Sequence, residues 1–164
     1  IYMGDKKDTP MTIAQSVQKA NHTQTERFAK KVIDYFKKQD KDIKLGVWGL
    51  AFKAKTDDIR ESPAVKCVQR FLEAGFKVTA FDPEAMPAAD KALGGKAEMS
   101  EQSYDMLTGC DGLVILTDWK EFRSPDFGDI SGKLNKPVIF DGRNLYDPAY
   151  VKKQGFEYYS IGRP

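Results

Sequence analysis

With 164 residues, 41% of them hydrophobic and 30% charged, the chain has room for one ordinary domain with an extra element, or for two small ones. A formal net charge of +2 lacks the basic excess of a dedicated nucleic-acid binder, and no apolar run approaches the roughly 18 residues of a membrane helix. Two cysteines, Cys67 and Cys110, stand in no CxxC or metal-ligand spacing, and with no signal peptide in view the expectation is a reduced, cytoplasmic protein.

In chain order, residues 1–8 are polar without a period. Ile1-Tyr2 is an unusual opening, and a piece of a longer chain is expected. Thr9-Pro10 reads as a helix start, a cap followed by proline. Ala14, Val17, Asn21, Thr25, Phe28, Val32 and Phe36 then recur at helical spacing, which predicts a helix to about Lys38, ended by the 40–42 segment. Asn21 and Thr25 are polar members of this stripe and imply exposure, a polar site or a neighbour outside the chain. Lys30, Lys31, Lys37 and Lys38 lie mostly off it, as a solvated face, and His22 has no catalytic partner pattern around it.

Leu45–Trp48 reads as a buried strand, followed by a charged loop and a second helix start at Ser62-Pro63. That helix runs to Ala74, with Val65, Val68, Phe71 and Leu72 inward and Gly75 as its stop. A strand over 76–81, a short helix from Asp82-Pro83, a brief strand at 97–99 and a helix over 102–107 follow. Gly112–Thr117 is a continuous apolar run, the mark of a parallel strand covered on both faces. A turn or short helix at 118–122, a weak helix over 126–133, a strand at 137–140, a helix over 148–154 and a last strand at 156–159 complete the series. Strand–helix alternation with short connections predicts an α/β fold: a doubly wound, Rossmann-like, mostly parallel sheet of about six strands, preceded by a long helix. The division expected is 1–42 as the end of a connecting helical region and 43–164 as a binding domain.

In such a sheet the strand tips at 49–53, Asp82, Thr117 and 141–143 share one edge, where open α/β sheets bind ligands. The loop from Gly49 to Ser62 is longer than the usual 2–6 residues and crowds Lys53, Lys55, Asp57, Asp58, Arg60 and Glu61 onto one tip. Lys53, Arg60 and Arg143 are the cationic candidates, with a phosphorylated ligand as the expected guest. Arg143 has an alternative use, pairing with Asp141, Asp57 or Asp58. Asp57 and Asp58 lack a third metal ligand at close spacing and fit loop hydrogen bonds or a pair with Arg60. Gly46-Val-Trp-Gly49 is no GxGxxG, and Gly94-Gly95-Lys96 is no P-loop. Asp82 resembles a ribose-binding acid, but Asp-Pro-Glu is a sound helix N-cap and the cap is the favoured reading. Cys67 suits a helix core; Cys110 has no activating base beside it.

Gly49-Leu-Ala-Phe-Lys53-Ala-Lys-Thr56-Asp-Asp58-Ile-Arg60-Glu-Ser-Pro63 resembles the signature that opens the C-terminal, UDP-binding domain of the UDP-glucose/GDP-mannose dehydrogenase family. Phe81-Asp-Pro-Glu-Ala-Met86, Leu113-Val-Ile-Leu-Thr-Asp-Trp-Lys-Glu-Phe122, Phe140-Asp-Gly-Arg-Asn-Leu-Tyr-Asp-Pro148 and Gly155-Phe-Glu-Tyr-Tyr-Ser-Ile-Gly-Arg-Pro164 extend the resemblance, the later ones toward the UDP-glucose branch. Asn21 and Gln24 resemble the Asn-x-x-Gln stretch of the helical region ahead of that domain. The resemblance implies oxidation of UDP-glucose to UDP-glucuronate in two NAD⁺-dependent hydride transfers through a cysteine thiohemiacetal and thioester. It implies that Phe52, Lys53 and Arg143 contact the UDP-sugar, that Arg60 reaches NAD, and that the full-length protein is a homodimer; no metal site is expected. The family's GxGxxG domain and Gly-Gly-x-Cys nucleophile are not in this sequence, so the chain is expected to be inactive by itself. Alternatives are another UDP- or GDP-sugar dehydrogenase of the family, or a non-catalytic α/β binding module such as a receiver or a partner-docking domain.

Overall fold

A computed structural model describes residues 11–38 and 42–163. Its centre is an all-parallel sheet of six strands in the order β3-β2-β1-β4-β5-β6. The strands are β1 (Lys44–Trp48), β2 (Lys77–Phe81), β3 (Glu98–Met99), β4 (Gly112–Ile115), β5 (Val138–Asp141) and β6 (Glu157–Ser160). Every residue of β4 and β5 is buried, as apolar runs covered on both faces require. β1 pairs with β2 on one side and with β4 on the other. The winding reverses between β1 and β4, and the crevice outside their carboxyl ends is the binding position of this architecture.

Among the described residues, five α-helices cover the sheet: α1 (Thr12–Phe36), α2 (Pro63–Glu73), α3 (Met86–Leu93), α4 (Phe127–Lys133) and α5 (Pro148–Lys153). In α2, Ser62 Oγ accepts from the backbone N–H of Ala64 and Val65, Pro63 opens the helix, and Val65, Cys67, Val68 and Phe71 are buried. Asp126 and Asp147 cap α4 and α5 in the same way.

Three expectations change. The stripe on α1 is only half used: Phe28, Val32 and Phe36 are buried, but Val17 is 53% exposed. The Thr9-Pro10 start, the loose segment 1–8 and most of the 40–42 stop lie outside the described residues. The helix expected over 102–107 is a single 3₁₀ turn, Asp105–Leu107. Trp48 Nε1 donates to the Ser103 carbonyl, the acceptor an α-helix would offer to Leu107 N–H, which bonds to Tyr104 O instead. Lys31 is also more than solvated surface: its Nζ donates to Ser160 O at 2.9 Å and ties α1 to the end of β6.

Candidate functional site

The carboxyl edge is built around two buried carboxylates. Asp82, at the tip of β2, accepts five hydrogen bonds. Oδ2 takes Leu50 N–H at 2.7 Å, Ala51 N–H at 2.9 Å and Trp119 Nε1–H at 3.0 Å. Oδ1 takes Glu84 N–H and Ala85 N–H. Asp82 therefore caps the turn that leads into α3, which begins only at Met86, and pins the stems of the loops after β1 and β4. Its lone pairs are used up and none remains for a ribose hydroxyl.

The first loop is closed at both ends. Gly49 sits at φ +93°, and a Cβ there would lie 2.4 Å from Thr117 Cβ, so neither the backbone nor the space admits a side chain. Thr117 Oγ1 donates to Ala51 O at 2.8 Å. Ser62 Oγ donates to Leu50 O at 2.7 Å while capping α2. The helix N–H groups that would cradle a dinucleotide pyrophosphate are thus taken up by Ser62. With the saturated Asp82, this makes the β1–α2–β2 unit a poor fit to NAD.

Within the loop, Phe52 N–H donates to Asp58 O. Arg60 holds the Asp58 carboxylate through its own N–H, Nε at 3.0 Å and Nη2 at 2.8 Å. These hydrogen bonds pull the Asp58 pKa down to about 2 and raise that of Arg60. Asp58 is committed to Arg60 and to the loop, and no metal-binding cluster occurs among the described residues. Lys53 and Phe52 stand exposed at the tip, Phe52 by 46%.

Asp141, at the tip of β5, organises the opposite wall. It accepts from Arg143 N–H at 2.8 Å, Leu145 N–H at 2.7 Å and the Tyr158 hydroxyl at 2.7 Å, with Tyr146 N–H at 3.4 Å. Burial, reinforced by the bond to Asp141, pushes the Tyr158 phenol well above its usual range. Asn144, at φ +56°, exchanges two hydrogen bonds of 3.0 Å with the backbone of Ile161. The Arg143 guanidinium pairs with neither Asp141, Asp57 nor Asp58, as the sequence suggested it could. Its Nη2 lies 3.6 Å from Asp118 Oδ1, and Asp118 Oδ2 lies 3.2 Å from Arg123 Nη2. The Asp141 carboxylate is already filled by the turn it shapes.

Phe52, Lys53, Leu116 and Arg143 line one hollow of about 1030 Å³, whose far wall is α1 with Asn21, Gln24 and Thr25. The polar members of the α1 stripe therefore face this space rather than a core. Arg60 does not line it; its side chain is 88% exposed on the outside of the loop. A second hollow, about 370 Å³, lies on the other side of Arg143, lined by Asp118, Arg123 and Asn144. Cys67 reaches the larger hollow, but burial, with Glu26 nearby, pushes its thiol up to about 12. Burial raises Cys110 to about 11. Neither is an activated nucleophile. Asp118 and Arg123 escaped the sequence reading, although Asp118 follows Thr117 at a strand tip and the shared-edge rule could have flagged it.

Residues 46–148 match the profile of the UDP-glucose/GDP-mannose dehydrogenase family, UDP binding domain. The chain belongs to that family. The UDP-glucose 6-dehydrogenases of Rhizobium meliloti and Pseudomonas aeruginosa are 38% and 36% identical to it over 157 residues, covering 96% and 93% of the chain. The alignments take in 36% and 35% of those proteins, so the chain spans about a third of the length of these curated relatives. A UDP-glucose dehydrogenase structure from the archaeon Pyrobaculum islandicum superposes with a TM-score of 0.73 at 31% identity, covering 99% of this chain and 34% of that one. The family's UDP binding domain thus contains Phe52, Lys53, Asp118 and Arg143, whereas α1 precedes the matched span.

Proposed function

We propose that the chain is the UDP-sugar-binding part of an NAD-dependent UDP-glucose 6-dehydrogenase, a homodimeric cytoplasmic enzyme that oxidises UDP-glucose to UDP-glucuronate with two NAD⁺. The observation that carries this reading is the shared hollow: Lys53 from the tip of β1 and Arg143 from the tip of β5 face one space with Phe52. The Arg143 fork suits a diphosphate, and the Lys53 ammonium is a point charge on a flexible stem, suited to sugar hydroxyls or the product carboxylate. Asn21 and Gln24 on α1 offer amide donors and acceptors from the facing wall. In this reading, 1–42 ends the connecting region and 43–164 is the binding domain.

NAD, when bound, accepts the hydride. It is carried by another part of the longer protein, since the β1–α2–β2 unit fits it poorly, and exposed Arg60 reaches toward it from outside the hollow. The nucleophilic thiol also comes from elsewhere, because both thiols here are buried and their pKa values raised. Calorimetric titration of the chain with UDP-glucose, UDP and NAD⁺ tests the assignment. Both uridine nucleotides are expected to bind and NAD⁺ is not; indifference to all three would remove the reading.

A further inference from the structure

We propose that Asp118 is a positioning residue for Arg143, with Arg123 as its brace. The inference rests on the reading above, in which Arg143 is a ligand-binding group. The backbone at Arg143 is already fixed: its N–H is held by Asp141, and Asn144 next to it is clamped to Ile161. The guanidinium is not fixed by any of this. It ends a long side chain whose rotamer freedom must be lost when a ligand is gripped. Among the described residues, Asp118 is its ion-pair partner.

Asp118 is itself unusually well anchored for a residue in a loop. Thr117 before it is buried and bonded to Ala51 O. Trp119 after it is buried and bonded to Asp82. Its two oxygens face different guanidiniums, Oδ1 toward Arg143 at 3.6 Å and Oδ2 toward Arg123 at 3.2 Å. Arg123 keeps the carboxylate from turning, so Oδ1 stays presented to Arg143. The Arg143 contact is longer than a hydrogen bond, loose enough for the guanidinium to add a diphosphate oxygen without first breaking a tight pair. Arg143 lines both hollows, so without Asp118 its head is free to swing away from the larger one. One carboxylate between two guanidiniums leaves a net positive charge, so the device orients the cation without cancelling it.

The sign of one substitution separates this from simple electrostatics. Asp118→Asn keeps the shape and removes a negative charge beside an anion site. Charge alone predicts tighter binding of UDP; positioning predicts weaker binding, by about fivefold for a coupled contact pair. In an Arg143→Ala background the same change is expected to do nothing further, because Asp118 acts through Arg143. Calorimetry with UDP, at a matched thermal midpoint, reads the first arm. NMR of the arginine Nε–Hε groups reads the second without any ligand: the Arg143 order parameter is expected to fall in Asp118→Asn. Tighter or unchanged UDP binding, or an unchanged Arg143 order parameter, would overturn the proposal. Wild-type chain that ignores UDP would instead sink the function reading, and the NMR arm would still decide whether Asp118 holds Arg143.

Discussion

The two walls of the hollow deliver positive charge by opposite means. On the β1 side, the loop stem is pinned by Asp82, Thr117 and Ser62, but Lys53 at its tip is exposed and feels the charge of Asp58 across the loop. On the β5 side, Arg143 rises from a turn whose N–H groups converge on Asp141, and its head is met by Asp118. A pinned stem with an exposed ammonium can follow a ligand that changes shape, as an alcohol does on becoming a carboxylate. A guanidinium rising from a fixed turn suits a part of the ligand that does not change, such as a diphosphate.

The largest effect expected from breaking this contrast is Asp141→Ala. It leaves three backbone N–H groups without their acceptor and takes the short bond from the buried Tyr158 phenol, and a loss of about 3 kcal/mol or more in stability is expected, since each buried donor left unpaired costs about 1–3 kcal/mol. Denaturant unfolding reads it directly, and a loss under 1 kcal/mol would mean that the turn does not depend on this carboxylate. Next come Lys53→Ala and Arg143→Ala. Each is expected to weaken UDP-glucose binding by at least about 1.5 kcal/mol, the lower end for a charged hydrogen bond. Their split sharpens the comparison: UDP, which lacks the sugar, should feel Arg143→Ala fully and Lys53→Ala less. Equal affinities for wild type and both variants would take the two residues out of the site.

The smallest effect concerns Asp58. Its folded pKa is depressed from 3.8 to about 2 by Arg60, so the pair's contribution is present above the ordinary carboxylate range and fades as pH falls toward 2. Arg60 is exposed and Asp58 only partly buried, so little stability rides on the pair. A carboxyl NMR titration should place the Asp58 midpoint near 2 in the wild type and higher in Arg60→Gln. Coincident midpoints would show that the loop N–H groups, not the guanidinium, depress it.

Much of the molecule is legible from local chemistry. The apolar runs at 45–48, 112–117 and 137–140 had to be buried strands, because their periodicity leaves no polar face. Ser62-Pro63 had to start a helix, because a hydroxyl acceptor and a fixed φ are what a first turn needs. Strand–helix alternation then forces the tips carrying Lys53 and Arg143 onto the same edge. Which tips become neighbours is a different matter, since it depends on strand order and on contacts between residues far apart in the chain. Only the folded sheet sets Asp118 between Arg123 and Arg143, and only α1 lying across the edge turns Asn21 and Thr25 from apparent flaws in an apolar stripe into the wall of a hollow. The segment expected as a helix over 102–107 likewise forms a 3₁₀ turn and offers its Ser103 carbonyl to Trp48, a partner far away in the chain. Periodicity and capping act over a few residues and can be read in order; hydrogen-bond partners are allotted by three-dimensional competition, which no local pattern records.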